Sequence, residues 1–231
     1  MKFSPIRLLR WLPISLVTLA PVVALASLPF APPTHTEVAP GIHLFQSAPY
    51  GDVGLDGNSI AIVGDDGVLV FDSNGTPAAA RAVLATIRAI SKLPVRYLVY
   101  SHWHWDHWYG AEVYAQAFPG LVIISHEKTR ALMAGPAIVF NQDGLDTQLP
   151  GHIREVRAQL DKAKAATPQS ADVAKWREHV ARDEFFLAQK RGVKHTLATL
   201  TFTDSLTIRL GTREIRVLHV DRAITPGDAF L

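Results

Sequence analysis

Three histidines and an aspartate fall within six consecutive positions of this chain, in the segment SHWHWDHWYG at residues 101–110. These residues are His102, His104, Asp106 and His107. Neutral imidazole and carboxylate groups are ligands of zinc, and they also suit iron and manganese. Three of the ten histidines of the chain lie in this segment, a concentration that isolated surface histidines do not explain. The segment therefore predicts a metal site.

The spacing of these four residues suggests how they could share metal. In an extended backbone the side chains alternate between two sides, so positions 102, 104 and 106 point the same way and His107 begins the next turn. Two groups can then reach one cation, and the other two can reach a second cation close by. The chain has no cysteine, which excludes thiolate ligands and disulfides.

The surrounding segments alternate between predicted strands and helices. Apolar, β-branched segments indicate strands, and the turn Gly64-Asp-Asp-Gly67 joins two of them as a hairpin. Thr76-Pro77 is typical of a helix start and is followed by one apolar face at helical spacing. Strands are predicted at residues 41–45, 58–63, 68–71, 95–100, 121–124, 206–210 and 214–220, and helices at residues 76–93 and 110–118. The predicted metal site thus follows directly from a buried strand.

The stretch from residue 126 to residue 195 differs in character from the rest. It carries more charge and two helical segments, at residues 153–166 and 171–191, which predict a helical insertion or lid. His179 and Asp183 lie one helical turn apart within it and indicate an ordinary solvated pair. Strand patterns resume afterwards, so the insertion belongs to one domain.

The pattern His102-x-His104-x-Asp106-His107 after a strand resembles the signature of the metallo-β-lactamase superfamily. Asp72, at the end of the strand predicted at residues 68–71, matches a structural aspartate of that family. The resemblance covers about residues 41–231 and implies a mixed α/β (α+β) fold, a four-layer αββα sandwich with a pair of metal ions at one edge of its two sheets.

The resemblance also implies an activity. Most family members are hydrolases that use metal-activated water on esters, amides, thioesters or phosphodiesters. His102 and His104 would hold a first metal ion and Asp106 and His107 a second, and Asp106 would act in catalysis by orienting the attacking water. The expected cofactor is zinc, as one or two ions, with iron or manganese as alternatives. The expected partner is a small-molecule substrate.

The chain departs from the family pattern in two places. In the segment 222–228, Ile224 stands where the family has a third histidine for the first metal ion, and isoleucine cannot bind metal. His219 is a candidate substitute for this third ligand, although the favoured role of His219 is packing within a strand. His126 is expected at an exposed helix start. The sequence also ends at Leu231, before the expected second half of the fold, so we expect an N-terminal portion of the family's domain.

These departures leave three functional hypotheses. The first is a secreted metallohydrolase acting on a lactam, an amide or an ester, impaired by Ile224 and by early termination. The second is a non-catalytic metal-binding or scaffold protein, and the third is a non-hydrolytic, iron-dependent member of the fold. The predicted strands are apolar on both faces, and the hairpin at residues 206–220 is too small to cover five of them. We therefore also expect self-association through an exposed apolar face.

The N-terminus indicates export. Residues 1–26 combine three basic residues, a short apolar run broken by prolines, and small residues at positions 24 and 26, which predicts a signal peptide cleaved after Ala26. A proline-rich lead-in at residues 27–40 and the domain at 41–231 follow. Removal of the signal peptide changes the formal net charge from +2 to −1, so no nucleic-acid partner is inferred. We expect a periplasmic or secreted protein without a stable membrane anchor.

Overall fold

The computed structural model describes residues 31–48, 56–221 and 223–231, and the predicted signal peptide lies outside these ranges. The strands are β1 (Thr34–Ala39), β2 (Ile42–Gln46), β3 (Ser59–Val63), β4 (Val68–Phe71), β5 (Val95–Val99), β6 (Val122–His126), β7 (Leu200–Phe202), β8 (Ser205–Leu210), β9 (Arg213–Val220) and β10 (Asp228–Phe230). The helices are α1 (Pro77–Ile90), α2 (Ala111–Ala117), α3 (Glu127–Met133), α4 (Pro136–Asp143), α5 (Leu149–Ala166) and α6 (Ala171–Arg191). The predicted mixed α/β fold class is confirmed.

Strands β1 to β7 form one sheet in their sequence order. The first four pair antiparallel, and β4 to β7 pair parallel through helical connections. The predicted hairpin between β3 and β4 is present, closed by a 2.9 Å hydrogen bond from the backbone N–H of Gly64 to the carbonyl of Gly67. The sequence does not predict strand β1, because all six of its residues are exposed and four are polar, and the prolines around it are typical of an irregular lead-in.

Helices α1 and α2 cover one face of this sheet. Helix α1 begins as predicted, because the Thr76 hydroxyl accepts a hydrogen bond from the backbone N–H of Ala79 and Pro77 occupies the first turn. Its apolar face buries Val83, Leu84 and Ile87. These side chains share a core with Val68, Val70 and Leu98 of the sheet. Burying such side chains contributes about 1.5–3 kcal/mol each relative to exposure.

A second sheet, in the order β10-β9-β8, covers the other face. Alternate residues of its strands point inward, and Ile208, Ile215 and Val217 pack against the buried Leu69 and Val99 of the large sheet. The hairpin at residues 206–220 was expected to be too small to cover five strands. Strand β10 adds a third strand to it, and the smaller sheet then buries Leu69, Val99 and Ile124, while Ile42 and Ile60 stay partly exposed. The layers therefore run helices, sheet, sheet, as in the expected sandwich.

Residues 127–191 form the predicted helical insertion. Helices α5 and α6 match the predicted helical segments, and α3, α4 and a π-helical turn at Gly144–Gln148 precede them. The solvated role predicted for Asp183 is wrong. Its side chain is fully buried and lies 3.2 Å from the Arg182 guanidinium and 3.5 Å from Nε2 of His152. Helix α5 supplies His152, a contact that spacing along α6 alone could not reveal.

Within the described ranges, none of the helices has the length and apolar character needed to cross a bilayer.

Candidate metal centre

The predicted metal segment lies on the loop that leaves the carboxyl end of β5. The backbone is extended only as far as His104, and Trp105–His107 forms a single 3₁₀ turn. The prediction that Asp106 continues the extended backbone is therefore wrong. The turn instead places the Asp106 carboxylate beside the His107 ring, with 3.2 Å between Oδ2 and Nε2.

Asp72 anchors this loop from the end of β4. One carboxylate oxygen accepts a 2.7 Å hydrogen bond from the backbone N–H of Ser101, and the other accepts from the Ser101 hydroxyl at 2.6 Å. The second oxygen also lies 2.7 Å from Nδ1 of His107. Asp72 is buried and has a φ of 60°, a left-handed conformation that Asp and Asn adopt more readily than most residues. The structural role that the resemblance implied for Asp72 agrees with these contacts.

The two carboxylates set the protonation of His107. Burial lowers the pKa of His107, but Asp72 and Asp106 outweigh burial and raise it to about 10. Burial raises the pKa of Asp106, yet the hydrogen bond with His107 brings it below its usual value. Without a cation, His107 thus carries protons on both ring nitrogens. A cation at Nε2 would replace one of them, while Asp72 continues to hold Nδ1, which is how carboxylates orient metal-binding histidines.

The hydroxyl of Ser101 determines the orientation of His102. Because that hydroxyl donates its proton to Asp72, it accepts from Nδ1 of His102 at 2.9 Å. The lone pair of His102 is then on Nε2, the state that a metal ligand requires. Burial and the charge of His107 lower the pKa of His102 to about 4, which keeps this ring neutral.

The three histidine rings lie close together. The centroid of His102 is 4.7 Å from that of His104 and 4.1 Å from that of His107. The chemistry of the donors fits a divalent ion, and the 3.2 Å separation of Asp106 and His107 is close to the ~3.3 Å expected for two ligands on one tetrahedral zinc. In the described part of the chain, however, no three His, Asp or Glu side chains are gathered so that they could hold one ion. Asp106 and His107 are thus spaced as a pair of ligands.

Ile224 lies at the cavity of this site. A cavity of about 400 Å³ is lined by His102, His107, Ile224 and Asp228, among others. The Asp228 carboxylate accepts hydrogen bonds from the backbone N–H groups of Ile224 and Thr225, which fixes the turn. Ile224 is 69% exposed and lines this cavity, so an apolar residue stands where the resemblance implied a third ligand.

Neither of the other candidate histidines joins the site. Nδ1 of His219 lies 2.9 Å from the carbonyl oxygen of Asp228, and its ring stacks on that of His126 with centroids 3.9 Å apart. His126 caps helix α3 as predicted, but it is buried rather than exposed. Its Nε2 lies 2.7 Å from the carbonyl oxygen of Thr203. These contacts give both rings structural roles.

The tryptophans of the segment have different surroundings. Trp108 is buried in the core, whereas Trp105 contacts the insertion. The Trp105 ring meets Phe186 of α6 with 5.5 Å between centroids, and the ammonium of Lys190 lies 3.5 Å from its ring centre. Lys190 could not be predicted as part of this region, because no sequence pattern relates a lysine near the end of a charged helix to a distant loop.

The family follows from comparison with known proteins. The sequence profile of the metallo-beta-lactamase superfamily matches residues 52–201, so the chain belongs to that superfamily, and the predicted resemblance is confirmed. Similar solved structures include the metallo-beta-lactamase MIM-1 of Novosphingobium pentaromativorans, with a TM-score of 0.50 and 22% identity over 86% of this chain and 54% of that one.

Two further structures show the same fold. The metallo-beta-lactamase of Pontibacter korlensis has a TM-score of 0.51 and 14% identity, covering 85% of this chain and 65% of that one. FEZ-1 of Legionella gormanii has a TM-score of 0.50 and 15% identity, covering 86% and 56%. The chain thus spans 54% to 65% of the length of these structures. Among curated protein sequences nothing matches.

Proposed function

We propose that this chain carries the metal-binding portion of a metal-dependent hydrolase that acts on small amides, lactams or esters. The observation that carries the proposal is the pairing of Asp106 and His107, 3.2 Å apart, on a loop that Asp72 anchors in a member of this superfamily. We assign His102, His104, Asp106 and His107 as metal ligands. Zinc is the proposed ion, and iron or manganese would suit the same donors.

Each residue then has a distinct task. A divalent cation held by these residues would lower the pKa of bound water to about 7 and polarise the substrate's carbonyl group. Asp72 fixes the His107 ring through Nδ1, and Ser101 fixes the His102 tautomer. Asp106 has a pKa below its usual value, so its carboxylate is ionised at neutral pH and can orient water by accepting a hydrogen bond from it.

One observation favours a role in metal binding without catalysis. Catalytic zinc normally has three protein ligands and one open position, and Ile224 faces the cavity where a third ligand would be needed. The second candidate function is therefore metal binding without turnover. A hydrolase whose activity is reduced by Ile224 would be intermediate between these two candidate functions.

An assay of hydrolysis distinguishes the candidates. The purified chain, loaded with zinc, iron or manganese in separate samples, is given a chromogenic lactam and an aryl ester. We expect slow hydrolysis that a chelator abolishes and that Asp106→Asn reduces by about 100-fold or more, in line with a lost acid–base group. The control is Asp161→Asn, an exposed carboxylate on α5. Metal-independent hydrolysis, or hydrolysis that survives Asp106→Asn, would contradict the proposal, and bound metal without hydrolysis would favour the second candidate.

Self-association also remains a proposal. Ile42, Ile60 and Phe71 are only partly buried beside the smaller sheet, so apolar surface persists although the central strands are covered. Sedimentation velocity at rising concentration should reveal dimers or larger species. A single monomeric species throughout would contradict this expectation.

A further inference from the structure

A second cavity lies between the metal loop and the helical insertion. Its volume is about 300 Å³, at the lower end of small-molecule pockets. The metal loop contributes Trp105 to it, while His102 and His107 of the same loop line the cavity of the metal centre. The insertion supplies the remaining walls. We call this cavity, lined by Trp105, Phe140, Asn141, His152, Phe186 and Lys190 among others, the lid pocket.

The lid pocket combines aromatic walls with one cationic group. Trp105, Phe140 and Phe186 provide the rings, and the ammonium of Lys190 lies 3.5 Å from the ring centre of Trp105 and 5.1 Å from that of Phe186. These contacts hold the ammonium in place through cation–π attraction. In the described part of the chain the ammonium makes no hydrogen bond, and aromatic faces are weak acceptors.

No carboxylate forms an ion pair with Lys190 among the residues that the structure describes. Burial lowers the pKa of Lys190 to about 8, while the more distant charges of Asp106 and Asp56 oppose that shift. The group is therefore mostly charged at neutral pH, yet no carboxylate of the described residues is paired with it. A partly desolvated cation of this kind gains from a bound anion.

Asn141 adds a second polar feature to the pocket. Its side chain is 4% exposed, and its amide nitrogen has no hydrogen-bond partner among the described residues. Asn141 lines the pocket, so it adds a buried polar side chain with an unused donor to the wall. The ammonium of Lys190, this amide and three aromatic rings suit a ligand with an anionic end and an apolar body.

We propose that the lid pocket binds small organic acids that carry an aromatic or alkyl body, with Lys190 holding the carboxylate. The proposal that such an acid is part of a substrate rests on the proposed hydrolase function. The proposal that the pocket binds such an acid stands without that function. Lys190 would then be a specificity-determining residue, because it would favour anionic substrates over neutral ones beside the metal loop.

The test measures binding directly by calorimetry on the full chain after treatment with a chelator, so that no metal can attract the carboxylate. The three probes are phenylacetate, its neutral analogue phenylacetamide, and acetate. We expect phenylacetate to bind at least about tenfold more tightly than either of the others, since it alone satisfies both the charge and the rings. Equal affinity for phenylacetamide or for acetate would overturn the proposal without any variant being made.

Two variants sharpen the result. Lys190→Met removes the charge at similar size and should abolish the preference for phenylacetate over phenylacetamide. The matched control is Lys175→Met, because Lys175 lies on the same helix and also sits over a tryptophan, 5.2 Å from the ring centre of Trp176, but does not line the pocket. An unchanged preference in a folded Lys190→Met protein would refute the role of Lys190.

The outcome is independent of hydrolysis. Selective binding of phenylacetate by a chain that, when loaded with metal, hydrolyses neither the chromogenic lactam nor the aryl ester would leave the pocket assigned and refute the hydrolase. Turnover without selective binding would refute the pocket alone.

Discussion

Asp72 accepts hydrogen bonds from Ser101 and His107 while its own backbone is in the left-handed region, with a φ of 60°. Asp72→Asn is the informative change, because Asn tolerates this backbone but presents an amide donor where an acceptor is needed. We expect zinc to bind about 10- to 100-fold more weakly, as when other outer carboxylates are removed. Competition with a chromophoric chelator measures the affinity.

The control for this change is Asp66→Asn. Asp66 is half exposed, lies in the turn between β3 and β4, and pairs with Arg96 of β5, away from the metal loop. Unchanged zinc affinity in Asp72→Asn would contradict the anchoring role.

Ile224 offers the opposite experiment, a gain of affinity. Its exposed side chain shares a cavity with His102 and His107, so Ile224→His would place an imidazole near the two existing donors. We expect zinc affinity to rise by about tenfold or more, because catalytic zinc sites use three protein ligands. Ile224→Ala, which removes the side chain without adding a ligand, should bind as the unaltered chain does. If both variants bind alike, position 224 does not face the metal.

The grouping of functional residues that lie close together in the sequence could be predicted. Contacts between residues that are far apart in the sequence could not. The ligand cluster is contiguous, and Asp72 follows a recognisable strand. The burial of Asp183 depends on His152 from another helix, and the contact of Lys190 with Trp105 depends on how the insertion packs. No local pattern encodes such contacts.

The elements themselves were largely predictable from periodicity. Strand β4 matches its predicted bounds, and α5 and α6 match their predicted helical segments within a few residues. The failures have physical reasons. Strand β1 is exposed throughout and four of its six residues are polar, so it carries no alternation of buried apolar residues. The 3₁₀ turn at Trp105–His107 contacts the turn after β4 at residues 72–75, here called the β4 turn, where the backbone N–H of Ser73 donates to the carbonyl of His107. Local propensity does not encode such a contact.

The β4 turn packs closely against the start of α2, and this packing leads to a prediction about thermal stability. A Cβ atom at Gly110 would lie 2.0 Å from the carbonyl oxygen of Ser73 and 2.5 Å from Cβ of Ala80. Gly110→Ala should therefore destabilise the protein by about 1–3 kcal/mol, which lowers the melting temperature by several degrees, about 2–4 °C per kcal/mol. Thermal unfolding followed by circular dichroism measures this shift.

Gly120 provides the matched control, because a Cβ atom there meets nothing within 4 Å. Gly120→Ala should leave the melting temperature within about 1 °C, as surface changes usually do. Equal melting temperatures for the two variants would show that the β4 turn and α2 are not tightly packed.

At the scale of the whole molecule, two apolar cores flank the large sheet. One lies under α1 and α2, and the other lies under β8 to β10. The layer order was implied by the family resemblance, but the coverage by the smaller sheet was not, because the extra strand β10 is only three residues long and has no recognisable period.

Export is a prediction about the whole chain, and it concerns residues outside the described ranges. We expect expression in a bacterial host to yield a periplasmic protein whose N-terminus is Ser27, because small residues at positions 24 and 26 suit signal peptidase. N-terminal sequencing checks this, with Ala26→Arg as the control that should block processing. A membrane-bound product that keeps Met1 would contradict the signal-peptide prediction.

Metal binding by the loop is the central claim, and zinc analysis after dialysis tests it most directly. The unaltered chain should retain less than two equivalents of zinc, bound weakly, because each ion has two of its expected ligands. His102→Ala combined with His104→Ala should remove most of the retained zinc, while His35→Ala, a change on exposed strand β1, should remove none. Zinc content that is unaffected by the double change, or two tightly held ions in the unaltered chain, would contradict this account of the site.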